Sequence, residues 1–234
     1  MTITENTTST TAPLRLVAVD LYRDIHKGIR AELFAITERA GNLDPSDPAD
    51  RADLGAHVGR VVQLLVEHAE HEDDHIQPAL EQHLPALAEQ VEDDHHRLEA
   101  RIQLLADQAL DLGDPAGNPR WRTHQLYVEL AAFTSSYLAH QDLEERVIMP
   151  SLEEIIGAEA GLALHQSIVG SMPPEDLARG LAVMLPAMNI DDRVEMLGGM
   201  RAGAPAEVFQ GVWGLAASVL DVRDLEALAG RLGL

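Results

Sequence analysis

Apolar residues along the chain recur at helical spacing. Leu14, Val17, Leu21, Ile25, Ile29, Leu33 and Ile36 follow one another every three or four positions, which predicts a helix from Leu14 to about Ala40. The next stretch, GNLDPSDPAD (41–50), is turn chemistry, with two prolines and three aspartates. A second helical pattern runs from about Arg51 to His83. Leu84-Pro85 interrupts it, and Pro85 suits the first turn of a third helix extending to about Leu110. After the loop DLGDPAGNP (111–119), Pro119 opens a fourth helix that carries on to about Ile156. No segment alternates with period two, so no strand is predicted.

Beyond Gly161 the helical pieces shorten, punctuated by Pro173-Pro174, Pro186, Gly198-Gly199 and Pro205. They keep apolar residues at helical spacing, such as Val208, Val212, Leu215 and Val219. The expectation is an all-α protein. Residues 14–156 would form an antiparallel up-down-up-down four-helix bundle. Residues 157–234 would form a small helical extension that covers an outer face or mediates self-association as a homo-oligomer. Residues 1–13 read as a disordered tail.

Composition narrows the function. The chain of 234 residues is 46% apolar but only 3% aromatic, so its core is built of Leu, Ala, Val and Ile. A formal charge of −22 argues against nucleic acid and anionic membrane as partners, because both need clustered Lys and Arg. Cysteine is absent, which removes disulfides, thiolate catalysis and iron–sulfur ligation. No apolar run approaches the roughly 18 residues of a membrane span. The opening MTITENTTSTTAP lacks the basic and apolar regions of a secretory signal, so a soluble cytoplasmic protein is expected.

The chemistry lies in a repeat. Shifted by 72 positions, HAEHEDDHIQPALE (68–81) lies over HQDLEERVIMPSLE (140–153). His68 meets His140, Glu72 meets Glu144, Ile76 meets Ile148, Pro78 meets Pro150 and Glu81 meets Glu153. A shift of 69 sets His26 over His95, and Ile29, Leu33 and Ile36 over Leu98, Ile102 and Leu105.

Four residues along a helix turn about 400° and rise about 6 Å, so the His and Glu of each HxxxE share one face. One such pair on an acidic helix is usually solvated. Two copies with the same downstream Ile-x-Pro-x-Leu-Glu, each preceded by a helical histidine, are not explained that way. In a bundle they present two equivalent faces inward, and His26 and His95 close the site from the other helices. Four imidazoles and two carboxylates suit a pair of iron ions, with manganese second, and a carboxylate can bridge two such ions.

With these residues the chain resembles the hemerythrin-like proteins of the HHE cation-binding type over about residues 14–156. The resemblance implies a four-helix bundle around a non-haem di-iron centre with ligands His26, His68, Glu72, His95, His140 and Glu144. The third helix departs from the animal oxygen carriers, which place two histidines four residues apart there. Here His95 and His96 are adjacent, and about 100° of helical rotation keeps them from both facing inward. His95 is expected inside, because Leu98, Ile102 and Leu105 follow it at +3, +7 and +10, whereas His96 is followed by Glu99, Gln103 and Ala106.

His71, about 60° of helical rotation from His68, is a candidate additional ligand although its repeat partner is Leu143, and His75, paired with Val147, is expected as a flanking or solvated histidine. His57, His83, His124 and His165 are expected at the surface. Tyr22 and Tyr137 stand close to His26 and His140 in sequence, either as core tyrosines or as hydrogen-bond donors to the site. The acidic neighbours of the motif, the Asp-Asp and Glu-Glu pairs, are expected to be solvated. The function classes are a binder, a catalyst and a sensor. The site would bind O2, turn over hydrogen peroxide in a catalase-like reaction, reduce O2 or nitric oxide, or report iron or oxygen without turnover. A histidine-rich site favours O2 or peroxide binding over hydrocarbon oxidation.

Overall fold

A computed structural model of the chain describes residues 12–114 and 117–234. Most of the tail expected over residues 1–13 lies outside the described residues. The helices are α1 (Arg23–Asn42), α2 (Pro48–His75), α3 (Gln77–His83), α4 (Pro85–Asp111) and α5 (Pro119–Leu143). A π-helical turn (Glu144–Ile148) joins α5 to α6 (Met149–Ser171). Then come α7 (Pro174–Ala187), α8 (Ile190–Gly203), α9 (Ala206–Val219) and α10 (Val222–Leu232). The described residues contain no strand, and none of their helices is long and apolar enough to cross a membrane.

Local chemistry starts the long helices. The Asp47 carboxylate accepts from the Ala49 N–H at 2.8 Å, with Pro48 opening α2. The Asn118 side chain accepts from the Trp121 N–H, with Pro119 opening α5. Each such cap stabilises its helix by about 1 kcal/mol.

The four long helices pack in a ring: α1 against α2 and α5, and α4 against the same two. The stripes that follow the two leading histidines fill it, with Ile29, Leu33 and Ile36 meeting Leu98, Ile102 and Leu105. Leu54, Val58 and Leu65 of α2 and Leu126, Leu130 and Phe133 of α5 complete this core. Each side chain contributes about 1.5–3 kcal/mol by leaving water.

Two boundaries differ from those the sequence predicts. The first helix begins at Arg23, not Leu14. The Asp20 carboxylate accepts from the Tyr22 and Arg23 N–H groups, and Glu153 accepts from Ala18 and Val19, so the preceding backbone is held in a strap. Val17 and Leu21 still pack against the apolar cluster that includes Ile148 and Leu152, while Leu14 and Leu16 stand exposed.

The second helix breaks at Ile76, because Pro78 lacks an N–H and its ring collides with the carbonyl four residues back. Pro150 sits at the equivalent place in the other repeat, and there the chain answers with the π turn. The backbone stays right-handed helical through that turn, so the helical path from Pro119 runs on to Ile156, as expected from the sequence. At Gly157 the backbone leaves helical geometry altogether (φ 79°, ψ 164°), a conformation in the region that favours glycine.

Beyond it, α7 lies along α1. Gly28 makes that approach possible, since a Cβ there would stand 2.9 Å from Val183 Cγ1. Ion pairs flank the contact: Arg23 with Glu195 at 3.1 Å, Lys27 with Asp192, and Arg179 with Glu67 at 2.6 Å. Leu181, Leu185, Leu197, Phe209 and Leu228 form a separate core for α7–α10. Gly198-Gly199, expected as a break, lies inside α8.

Candidate metal centre

All six candidate residues named from the sequence are buried and meet at one level of the ring. Within each HxxxE, one helical turn sets histidine against glutamate. His68 Nε2 is 3.2 Å from Glu72 Oε1, and His140 Nε2 is 3.2 Å from Glu144 Oε1.

The second oxygen of each carboxylate reaches across the ring. Glu72 Oε2 is 3.3 Å from His95 Nε2, and Glu144 Oε2 is 3.4 Å from His26 Nε2. The imidazoles therefore fall into two pairs, His26 with His68 (ring centres 5.3 Å apart) and His95 with His140 (5.0 Å). Both carboxylates stand between them. Donor atoms of Glu72, His95, His140 and Glu144 lie within 4.8 Å of one another, as do those of His26, His68 and Glu72.

These contacts are not ordinary hydrogen bonds. His26 Nε2, His68 Nε2, His95 Nε2, Glu72 Oε1 and Glu144 Oε2 are buried without a hydrogen-bond partner, despite neighbours at 3.2–3.4 Å. Buried polar atoms left unpaired cost about 1–3 kcal/mol each, more if charged. Two donors roughly 2.1 Å from a common ion and at right angles stand about 3 Å apart. Atoms this close that fail to bond each other are aimed at shared points between them. The donor set fits metal.

The outward nitrogens explain how the rings are aimed. His26 Nδ1 lies 3.0 Å from Glu145 Oε1, and His95 Nδ1 lies 2.8 Å from Asp73 Oδ1. Asp94 stands 3.8 Å from His140 Nδ1, and Arg30 holds Glu145 at 2.8 Å. Asp73 and Glu145 each follow a central glutamate, and the 72-residue shift that pairs the glutamates pairs them too. The acidic pairs were expected to be solvated, and Asp73 and Asp74 are exposed, but one member of each pair also orients a histidine from the other repeat. The repeat carried that signal.

Burial and these partners set the protonation. Burial lowers the His68 imidazole to about 4. Burial also opposes charge on His95, but Asp73 and Glu72 outweigh it and raise that ring to about 9. His140 is likewise raised, by Glu144 and Asp94 against the cost of burial. Burial would raise the Glu144 carboxyl, yet His140, His26 and His95 hold it below its ordinary value. Glu145 falls to about 2, because His26 and Arg30 outweigh burial.

The remaining residues sort clearly. Tyr22 and Tyr137 are buried beside the site, with ring centres 5.1 Å from His26 and 5.9 Å from His140. Burial, followed by the charge of Glu144 and Glu72, raises both phenols. His96 is exposed, as the helical stripe predicted. His75 turns away to α6, between the hydroxyls of Ser167 at 2.9 Å and Ser171 at 3.1 Å. His71 is half-buried and joins neither donor group. His83, His124 and His165 are exposed, whereas His57 is partly covered by an ion pair with Glu32 at 2.7 Å.

A search of the curated proteins and one of the solved structures find no match. A family model described as the hemerythrin HHE cation-binding domain matches residues 17–152, more than half of the chain, and spans all six buried donors. The chain belongs to the hemerythrin HHE cation-binding family, and its buried His/Glu cluster makes it a metal-binding member.

Proposed function

We propose that the protein holds two iron ions, one at His26 and His68 and one at His95 and His140, with Glu72 and Glu144 spanning both. In this reading α1, α2, α4 and α5 form an up-down-up-down bundle of about residues 14–156, and residues 157–234 are a helical extension. The observation that carries the assignment is the set of inward nitrogens and oxygens that are buried, close together and unbonded. Manganese accepts the same donors but is less suited to so many imidazoles.

Iron held by these residues would supply Lewis acidity and redox change toward O2, hydrogen peroxide or nitric oxide. The protein's own residues prepare the place. Asp73 and Glu145 fix the tautomers of His95 and His26 by accepting from Nδ1, which leaves Nε2 free to ligate. Tyr22 and Tyr137 wall the site and stay protonated, because burial and the two carboxylates disfavour phenolate. A donor set of four histidines to two carboxylates favours binding or processing of O2 or peroxide over hydrocarbon oxidation.

The test is an optical spectrum of iron-loaded protein under air, without oxygen, and after peroxide. Di-iron charge-transfer bands and rapid peroxide loss support a catalase-like enzyme. A reversible change on deoxygenation supports a binder. No spectral response to either contradicts both.

One observation favours a second reading, an iron- or oxygen-sensing module without turnover. His26 faces the site from α1, and Arg23, Lys27 and Gly28 on the same two turns hold α7 and α8. Occupancy that shifts α1 reaches the extension directly. Slower hydrogen exchange in α7 and α8 on metal loading is the expected sign of it.

A further inference from the structure

The outward face of α5 is unlike the rest of the surface. Between Trp121 and Ala139 no exposed residue of α5 is Asp, Glu, Lys or Arg. His124 is the one titratable side chain on the exposed face besides Tyr127, and the charged residues of that span, Arg122 and Glu129, are only partly exposed. About a quarter of the chain is charged, with a net −22, so 19 residues of helix with a neutral outer face stand apart.

Apolar side chains extend the face on both sides. Phe34 of α1 is 54% exposed, on the same side as Arg30 and Gly41, which meet Glu145 and Tyr127. Leu104 of α4 is exposed one turn from Arg101, which bonds Ser136 of α5. Trp121 itself is 63% exposed. The face is mixed, with His124, Gln125, Ser135 and Ser136 among the apolar side chains. Large exposed apolar residues grouped on a helix face whose exposed side chains include no carboxylate or ammonium group nonetheless mark an interaction site.

We propose that this face is the interface of a symmetric dimer with a second copy of the chain. Charge points to that partner. A basic partner would be drawn to the acidic faces and would gain from charge at the contact. A like-charged partner alone gains from its absence, and another copy, also at −22, is such a partner.

Shape agrees. The N-terminal half of the face is bulky, with Trp121, Tyr127 and Val128, and the C-terminal half is small, with Ala131, Ala132, Ser135 and Ala139. A twofold axis beside residue 130 runs the two α5 helices antiparallel. Each Trp121 then lies over the other copy's Ala139, and each Val128 over the other copy's Ala132. Bulky meets small twice, as an isologous contact requires. The self-association expected of residues 157–234 is thus assigned to α5.

The test is sedimentation equilibrium of the full chain with two designed variants. The wild type should sediment at twice its 25.5 kDa. Added salt should tighten the dimer by screening the like charge. Ala132→Glu, with helicity unchanged by circular dichroism, should be monomeric at the same concentration. The chain has no cysteine, so Ala131→Cys, beside the axis, should cross-link to a dimer under mild oxidation. Arg60→Cys, exposed on α2 across the ring, should not. A wild type that stays at 25.5 kDa, with the face bare or covered by another protein, overturns the proposal. So does a dimer that survives Ala132→Glu or cross-links at residue 60 and not at 131.

Discussion

His26 near the start of α1 places its Nδ1 3.0 Å from an oxygen of Glu145, a residue 119 positions further along the chain. The neighbouring Glu144 stands 3.4 Å from the other nitrogen of the same ring. Asp73 and Glu72 hold His95 in the same way, at 2.8 and 3.3 Å. Each half of the repeat therefore fixes the outer nitrogen of the other half's leading histidine and sets a carboxylate beside the inner one. Neither half completes a site alone.

Removing the outer clamp should weaken metal binding without removing a donor atom. Glu145→Gln and Asp73→Asn are each expected to lower affinity about 10–100-fold, the usual effect of losing a carboxylate behind a ligating histidine. Competition with a chelator measures it. Glu145→Gln should loosen the ion at His26 and Asp73→Asn the ion at His95. Unchanged affinity in both variants would show that the outer carboxylates do not orient the rings.

The two adjacent histidines of α4 should behave oppositely. His95 is buried against Glu72 and Asp73, while His96 is exposed. His95→Ala is expected to lose one or both metal ions, and His96→Ala to keep both, by metal analysis of the purified variants. Loss in the His96 variant alone would mean that α4 is rotated from its position here.

The metal-free protein should have a stability maximum near pH 6.5. His95, raised to about 9, contributes stability that is fully present below the ordinary histidine value of about 6.5 and lost as pH rises through 9. His68, lowered to about 4, contributes stability present above about 6.5 and lost as pH falls through 4. Denaturant midpoints across pH 4–9 check both limbs, and His95→Ala should flatten the alkaline one. Metal must also displace the His95 proton at neutral pH. Calorimetric titration in two buffers of different ionisation heat should show proton release, and its absence would contradict the assigned protonation.

Much of the site was legible because metal chemistry restricts residue types. Histidine and glutamate at i, i+4, twice over, leave few other purposes, and the apolar stripe after His95 separated it from His96. The start of α1 was not legible. Leu14, Val17 and Leu21 keep helical spacing, yet Val17 and Leu21 pack equally well from a strap that Glu153 holds. The helix break before Pro78 and the π turn before Pro150 were present as residues, but a proline just past a long helical pattern reads as well inside the next turn. Asp73 and Glu145 were missed because an acidic chain offers many carboxylates; the 72-residue shift pairs the two, but the imidazoles they meet lie on other helices and come together with them only in the fold.

The contact between α1 and α7 should depend on the missing side chain at position 28. Gly28→Leu would drive atoms into Val183 and the Met184 backbone, and overpacking of this kind costs about 1–3 kcal/mol. A lower thermal midpoint and faster proteolysis within α7–α10 are expected, while His26 stays on the opposite side of the helix. A variant as stable as the wild type would mean that α7 does not rest on α1.

The central claim is a pair of ions shared by two carboxylates, and native mass spectrometry of the iron-supplied chain tests it most directly. About two iron ions per chain are expected, with Glu72→Ala and Glu144→Ala each losing both, because each carboxylate stands between the two histidine pairs. A chain that carries a single zinc, or no metal when iron is supplied, would contradict it.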